Sequence, residues 1–261
     1  MTPRNFPFAA RAICPSLFAP METEKSPLLV GLRAARANLV PGLIVQAAMV
    51  ALVGAYYYVP ATHTAFGMLA EAKRSGGVFF TIIASALAGG VLPEVLTVVF
   101  LQSGKCRREN VWSTIFSASY WAFDGLLVDM FYRVQNLLFG THVDVATVVK
   151  KMLFDQFVFS PFLIMPTTMA CYEWKSQGYS FAGLSRVVTL DFYKHNTFPA
   201  MIAGWCIWIP LVSVIYSLPP LLQIPLFILA LTFWVMIISF ISNAQKVKTA
   251  LPISAPAIHV P

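Results

Sequence analysis

Six stretches of this chain are apolar enough and long enough to cross a lipid bilayer as helices, which takes about 20 residues for a hydrocarbon core about 30 Å thick. They lie near 38–59, 77–102, 111–139, 151–173, 197–217 and 220–242. Only 11% of the residues are charged and 58% are hydrophobic, whereas about a quarter of an ordinary soluble domain is charged. The sequence therefore predicts an all-α fold, a multi-pass transmembrane helical bundle of about six spans.

Several residues inside these stretches are typical of helices that pack in a membrane. Tyr56, Tyr57 and Tyr58 end the first stretch, where aromatic side chains favour the interface between lipid and water. Ser85 and Gly89 in the second stretch have the small-xxx-small spacing that lets a neighbouring backbone approach closely. We therefore expect a close helix–helix contact near residues 85–90.

The basic residues are divided unequally between the two predicted faces of the membrane. With six spans, thirteen of the 18 Lys and Arg residues fall on the side of the two termini, and Arg133 lies within a span. The remaining four are Lys73, Arg74, Lys150 and Lys151. Because basic loops stay on the cytoplasmic side, we predict both termini in the cytoplasm or in the matrix of an organelle. Topology then accounts for the net charge of +7, and no nucleic-acid partner is predicted.

The predicted bundle has a tail at each end. We expect residues 1–37 to form an N-terminal tail with an interfacial segment, 38–242 to form the bundle, and 243–261 to form a C-terminal tail. No early apolar run is long enough for a secretory signal, and a start at Met1 or at Met21 is left open. The predicted location is the cytoplasmic (inner) membrane of a bacterium, or the mitochondrial inner or peroxisomal membrane of a eukaryote.

An acid and an amide, Asp155 and Gln156, stand within the apolar run KMLFDQFVFSP at 151–161. A carboxylate at the centre of a membrane helix costs about 2.5–3.5 kcal/mol on insertion scales, so it is expected to face protein or water. Three interpretations remain open. The pair can form a hydrogen bond between helices, or it can line a path for a solute or an ion. Alternatively, the segment lies at the surface or is not a membrane span.

Three further acids and one base fall inside apolar stretches: Glu94, Asp124, Asp129 and Arg133. Asp129 and Arg133 are four residues apart, so we expect them to pair on one helix face. Asp124 projects to another side of the same helix and needs a partner from another segment or from water. If Glu94, Asp124 and Asp155 converge on one crevice, its acidic interior is expected to favour cations or protonated solutes.

Patterns that carry catalysis or bind metals are missing from the sequence. It contains no HExxH, GxSxG or P-loop motif, and its four cysteines are far apart without a CxxC. Such cysteines indicate neither a metal site nor a disulfide framework. We therefore predict that the chain is not an enzyme and has no cofactor.

Several motifs resemble those of the Mpv17/PMP22 family of peroxisomal and mitochondrial inner-membrane proteins. The stretch from Lys151 through Asp155 and Gln156 to Pro161 is similar to the family's KMLxDQxxFxP. Weaker similarities involve Gly125, Tyr132, Arg133, Pro199, Pro210 and Trp234. The resemblance covers residues 77–242 and implies a four-span core, with Lys151 and these prolines and aromatics as structural positions.

Departures from the family pattern indicate a divergent member. Ile202 and Gly204 stand where the family carries a polar Gln and Asn, and the stretch at 38–59 is an additional first span. Family members are described as weakly selective pores or as proteins that support organelle solute and nucleotide balance. The loss of polar residues in the fifth span moves the expected polar interior onto Asp124 and Asp155.

Two functions follow as hypotheses. The first is a weakly selective channel or small-solute permeation protein whose interior polar residues are Asp155, Gln156, Asp124, Asp129, Arg133 and Glu94. The second is a non-conducting structural or assembly factor in which the same residues only lock helices together. A secondary transporter is a third alternative, but no internal repeat supports it. The expected partners are the lipid bilayer and small solutes or ions, and a homo-oligomer is left open.

Overall fold

A computed structural model describes residues 26–181 and 184–250 of the chain. The predictions for Met21 and for the extreme ends of both tails fall outside these residues. The described residues are mostly helical, with short connections between the helices, and contain no strand. Its α-helices are α1 (Pro27–Ala37), α2 (Leu39–Tyr58), α3 (His63–Ser85), α4 (Leu92–Leu96), α5 (Arg108–Phe139), α6 (Val145–Phe154), α7 (Met165–Ser176), α8 (Leu184–Val187), α9 (Leu190–Phe192), α10 (Phe198–Tyr216) and α11 (Pro220–Ala250).

The second predicted span begins much earlier than the sequence indicated. Residues 60–76 were expected to form a loop, but α3 already starts at His63. Gly77 interrupts α3 with φ +54°, a conformation that glycine adopts without steric cost, so the helix changes direction there and continues. Two π-helical turns, Ala86–Val91 and Thr97–Leu101, flank α4 and carry the helical path to the end of the stretch.

The last helix also extends beyond its expected end. The sequence predicted a tail from residue 243, whereas α11 continues to Ala250. The other predicted spans agree with the helices to within a few residues, with two exceptions. The fourth starts earlier, at Val145, and contains the π-helical segment Asp155–Ile164. The helical stretch of the fifth starts earlier, at Leu190.

Three helical stretches within the described residues are long and apolar enough to cross a membrane: Leu39–Tyr58, Pro60–Phe100 and Leu190–Tyr216. Pro220–Trp234 is a shorter apolar helix. These helices are consistent with an integral membrane protein. Six spans, and a common side for the two termini, remain predictions.

Helix α5 has polar residues inside and apolar residues outside. It buries Asn110, Ser113, Ser117, Asp124, Asp129 and Gln135. Its exposed side carries Trp112, Ile115, Phe123, Met130 and Leu137. A surface helix in water shows the reverse distribution, and exposed apolar surface on this scale is typical of contact with lipid or a partner.

Close contacts between backbones hold the bundle together. A Cβ atom added at Gly90 would lie 2.4 Å from the Ala118 Cα atom of α5, and one at Gly125 of α5 would lie 2.6 Å from the Ser85 Oγ atom of α3. The expected small-residue contact near 85–90 is therefore confirmed. On the other side of the bundle, α10 packs against α1 and α2, and Met49 and Ile215 are fully buried in the largest apolar cluster.

Candidate functional site

The stretch with Asp155 and Gln156 forms a π-helical segment between α6 and α7, over Asp155–Ile164. Pro161 lies inside it and has no N–H to donate, which breaks the regular ladder of backbone hydrogen bonds. Wider turns are one way for a helix to accommodate such an interruption, and they are frequent at functional sites. Both Asp155 and Gln156 are buried here.

The Asp155 carboxylate accepts three hydrogen bonds. The Tyr216 hydroxyl, at the end of α10, donates to Oδ2 at 2.5 Å. The Gln156 amide and the Ser160 hydroxyl donate to Oδ1 at 3.1 and 3.2 Å. The Tyr132 ring of α5 packs on Tyr216 with 5.2 Å between ring centroids. Asp155 thus joins its own segment to α10, as the interpretation of a bond between helices expected.

Asp124 of α5 has a different environment. Asp124 is only 5% exposed, and its carboxylate makes no hydrogen bond or ion pair with the residues that the structure describes. On its helix face the residues one turn away are Tyr120 and Val128, and both line the same cavity as Asp124. A buried carboxylate without a partner is energetically costly.

Asp124 and Asp155 line one cavity of about 220 Å³. Its wall follows α5 from Tyr120 to Tyr132, α10 from Ala200 to Val212, and the chain from Asp155 to Met169. Twelve helical residues rise about 18 Å, so the residues that line the cavity extend over about 18 Å of α5 and of α10. Asp155 lies near the Tyr132 end, and Asp124 is eight residues, about 12 Å of helix rise, from Tyr132.

The chemistry of the cavity wall is apolar and aromatic with an acidic component. Besides the two aspartates it contains Gln156, Ser160 and Thr168, four tryptophans and two tyrosines, and the described wall includes no Lys, Arg or His. Nowhere in the described chain do three or more His, Cys, Asp or Glu side chains gather as they would around a metal ion.

Asp129 belongs to a separate buried cluster between α3 and α5. The predicted pair with Arg133 is confirmed, since Arg133 Nε donates to Oδ2 at 2.6 Å. Lys73 also forms an ion pair with Asp129, and the Thr81 hydroxyl donates to Oδ1 at 2.8 Å. Lys73 was expected in a loop; the structure buries it in α3 because α3 begins before it. Asp129 therefore links α5 to α3, Arg133 pairs with it within α5, and neither residue lines the cavity.

Glu94 does not converge with the other two acids. It lines a second pocket, with Asn110 and Cys106, and the Ser113 hydroxyl donates to its Oε1. Lys175, which was assigned to a loop, is buried in α7 and donates to the Ser113 hydroxyl at 2.9 Å. The expectation that three acids share one crevice thus holds only for Asp124 and Asp155. A π-helical turn at Ala86–Val91 precedes Glu94, and such a turn changes the helix face on which later side chains lie.

Lys151, which the six-span topology placed at one face of the membrane, is buried. Its Nζ atom donates to Asn136 Oδ1 at 2.6 Å, and its carbonyl accepts from the Gln135 amide at 2.9 Å. It therefore ties α6 to the end of α5. Although Lys151 and Asp155 are four residues apart, their side chains form no ion pair with each other.

The remaining motif residues have structural positions in the bundle. Pro199 lies in the first turn of α10, directly after the π-helical turn Tyr193–Thr197, and Pro210 lies inside α10. Trp234 is buried and lines the cavity. Tyr132 is buried next to Tyr216, and Gly125 makes the close contact with α3 described above.

Sequence reasoning missed three residues of these clusters: Lys73, Lys175 and Tyr216. Each lysine stands near a predicted span end, which is also where lysines extend to water, so its type and position did not indicate burial. Tyr216 is 61 residues from Asp155, and no local pattern joins them. Two tryptophans of the wall, Trp205 and Trp208, fall within one predicted span, which is a weak indication of an aromatic cavity.

Comparisons of this chain with family models, with curated proteins and with solved structures give no match. The interpretation of the cavity therefore depends on its own geometry and chemistry.

Proposed function

We propose that this chain is a multi-pass membrane protein that lets small cations or protonated solutes pass through the cavity that Asp124 and Asp155 line. One observation carries the proposal: Asp124 is buried against this cavity without a hydrogen bond or ion pair from the described residues. An ionised carboxylate at such a place is stabilised when a cation or a proton arrives. A residue that only locked helices would have a partner in a neighbouring helix.

The electrostatics of the cavity favour cations over anions. Its described wall contains two acids and no basic side chain. The three lysines that are buried among the described residues are engaged elsewhere: Lys73 with Asp129, Lys151 with Asn136 and Lys175 with Ser113. Acidic side chains along a pore select for cations, so we expect anions to be excluded.

The length of the cavity supports a path along the membrane normal. Its walls rise about 18 Å along α5 and α10, more than half of a hydrocarbon core about 30 Å thick. The two acids lie at different levels of this path, and several binding positions in sequence favour conduction over tight trapping. The apolar outer face of α5 is in keeping with lipid around the bundle.

The resemblance of the Lys151–Pro161 stretch to the Mpv17/PMP22 family agrees with this proposal, since members of that family are described as weakly selective pores. In the proposed arrangement the bundle spans the membrane about six times with both termini on the cytoplasmic or matrix side. The same polar positions then divide into two groups. Asp124 and Asp155 act in the path, and Asp129, Arg133, Glu94 and Lys151 stabilise the bundle.

Flux and reversal-potential measurements on purified protein in liposomes test the proposal. We expect a cation flux that falls at least several-fold in Asp124→Asn, whereas Glu109→Gln keeps it. Glu109 is the matched control because it is an exposed acid in the first turn of α5. Anion preference, or equal flux in both variants, would contradict the proposal.

A non-conducting structural factor is the second candidate, and a specific observation favours it. Ion pairs and hydrogen bonds between helices involve Asp129, Glu94 and Asp155 alike. In that case Asp124→Asn changes only folded yield or thermal stability, and liposomes with the wild-type protein show no flux above empty liposomes.

A further inference from the structure

The surroundings of Asp124 indicate what kind of cation the cavity accepts. Its neighbours on the helix face are aromatic or apolar, with Tyr120 and Trp121 on one side and Val128 on the other. Across the cavity, Trp205 and Trp208 of α10 and Trp234 of α11 complete the wall. The unpartnered carboxylate therefore faces a space that is mostly bounded by carbon and by aromatic rings.

An inorganic metal cation is a poor match to this space. Such ions replace their hydration shell with several oxygen ligands, six to eight for calcium. The Tyr120 and Thr168 hydroxyls are already bound to each other at 2.5 Å. Asp155 lies at the other end of the cavity and is satisfied by Tyr216, Ser160 and Gln156. A dehydrated metal ion at Asp124 would thus lack most of its ligands.

An organic ammonium ion fits the same features. Its charge is stabilised by one carboxylate and by the faces of Trp and Tyr rings, the combination by which proteins recognise alkylated ammonium groups. Its apolar body replaces water against the hydrophobic wall. The volume of about 220 Å³ exceeds the cavities of about 150 Å³ that admit benzene, so an ion of that size with a short alkyl group has room.

Two of the rings that form this wall are held in place by the fold. The Trp205 Nε1–H donates to the Gln156 carbonyl at 2.9 Å, and its ring packs on Phe157 with 5.1 Å between centroids. Trp208 packs on Phe227 of α11 with 5.8 Å between ring centroids. Fixed aromatic faces favour binding because little side-chain freedom is lost when a ligand enters.

We propose that this cavity binds a small organic ammonium ion, with its nitrogen at the Asp124 carboxylate and its apolar group among Trp121, Trp205 and Trp208. The proposal rests on the function proposed above, since it names the class of solute for the same cavity. It distinguishes that solute from sodium, potassium and calcium, and from neutral molecules of the same shape.

The test compares benzylammonium with benzyl alcohol, which has a similar shape and no charge, on the full chain in detergent micelles. Tryptophan fluorescence and calorimetric titration report binding. We expect saturable binding of benzylammonium at least tenfold tighter than that of benzyl alcohol. Equal affinities in the wild-type protein would overturn the proposal without any variant.

Variants then test whether Asp124 causes the preference for benzylammonium over benzyl alcohol. Asp124→Asn is expected to reduce the preference for benzylammonium to less than about threefold, while Asp124→Glu and the control Glu109→Gln retain most of it. A preference that survives unchanged in folded Asp124→Asn would overturn the assignment to this carboxylate. Folding of each variant is checked by circular dichroism and gel filtration.

Potassium flux in liposomes distinguishes the proposed organic-ammonium site from the proposed permeation of cations through the cavity. Flux without benzylammonium binding would leave the permeation function in place and overturn the organic-cation site. Binding without flux of either cation would support the site and contradict permeation.

Discussion

The hydroxyl group of Tyr216 donates a hydrogen bond to Asp155 Oδ2 at 2.5 Å, across 61 residues of sequence. Both side chains are buried. The bond connects the end of α10 with the start of the π-helical segment Asp155–Ile164, and the Tyr132 ring of α5 packs on Tyr216. Three helical segments therefore meet at one carboxylate, which also forms one end of the cavity.

Removal of this hydroxyl group is expected to lower the stability of the bundle but to leave Asp155 in its position. In Tyr216→Phe the ring still packs on Tyr132, and Asp155 keeps its bonds from Ser160 and Gln156. We expect a loss of about 1 kcal/mol in the free energy of unfolding, the scale of a buried hydrogen bond in water or membrane. Unfolding in mixed micelles of increasing denaturing detergent measures it.

Tyr58→Phe is the matched control for that change, since Tyr58 is 86% exposed. Its free energy of unfolding is expected to change by less than about 0.5 kcal/mol. Equal stabilities of the two variants would mean that the Tyr216–Asp155 bond contributes nothing to the fold.

The buried ion pair between Lys73 and Asp129 gives a second prediction. Lys73→Met leaves a buried carboxylate with only Arg133, whose side chain is 63% exposed, and Thr81 as partners. Loss of one partner of a buried pair costs about 3–5 kcal/mol, and we expect the lower part of that range because Arg133 remains. The double variant Lys73→Met with Asp129→Asn is expected to recover part of the loss, because no buried charge is left without its partner.

Arg74→Met is the control in the adjacent position. Arg74 pairs with Glu71, and its side chain is 68% exposed. Exposed pairs contribute about 0–1 kcal/mol, so this variant is expected to unfold nearly as the wild type does. If Lys73→Met were no more destabilising than Arg74→Met, the placement of Lys73 inside the bundle would be wrong.

Replacement of Gly90 with alanine is expected to have the opposite effect on stability to replacement of Gly54 in α2. A Cβ atom at Gly90 would lie 2.4 Å from the Ala118 Cα and 2.5 Å from the Ala118 nitrogen, and backbone atoms cannot rotate away. Gly90→Ala is therefore expected to destabilise the protein by about 1–3 kcal/mol. At Gly54 in α2 nothing lies within 4 Å, so Gly54→Ala is expected to stabilise it by up to about 1 kcal/mol.

Thermal unfolding of both variants beside the wild type checks these signs. A lower midpoint for Gly90→Ala with an equal or higher midpoint for Gly54→Ala is the expected result. A tolerated alanine at position 90 would contradict the close approach of the Ala86–Val91 turn to α5.

Local patterns in the sequence were sufficient for the helical class and for contacts within one helix. The Asp129–Arg133 pair follows from a spacing of four residues, and the small residues at 85–90 indicated a close helix–helix contact there. Burial of Asp124 and Asp155 followed from the cost of placing an acid in an apolar run. These features depend only on neighbours in the chain.

The sequence could not predict how faces are oriented beyond an irregular turn. A regular α-helix turns by about 100° per residue, and a π-helical turn inserts an extra residue that shifts every later side chain around the axis. One such turn, Ala86–Val91, precedes Glu94, which faces Ser113 and a separate pocket instead of the cavity with Asp124. The pair Gly76 and Gly77 led to the prediction of a loop around Lys73, because paired glycines are typical of a loop. The structure instead has a helix that is interrupted at Gly77.

Asp144 gives a prediction about pH outside the apolar segments. It caps the N-terminus of α6, where its carboxylate accepts hydrogen bonds from the Thr147 hydroxyl at 2.7 Å and from the Thr147 backbone N–H at 3.1 Å. These bonds, that of the hydroxyl first, lower the pKa of Asp144 below its usual value. The contribution of the cap to stability is thus present at neutral pH, above the usual range of aspartate, and is lost as the pH falls through the lowered pKa.

Replacement of the cap tests this dependence. At pH 7 Asp144→Ala is expected to have a lower unfolding midpoint than the wild type, and the difference is expected to shrink as the pH falls below about 4, the ordinary pKa of aspartate. Asp144→Asn keeps a good capping group, so its midpoint is expected to stay closer to that of the wild type at pH 7. A difference between wild type and Asp144→Ala that stayed constant down to pH 2 would mean that the ionised carboxylate has no part in the cap.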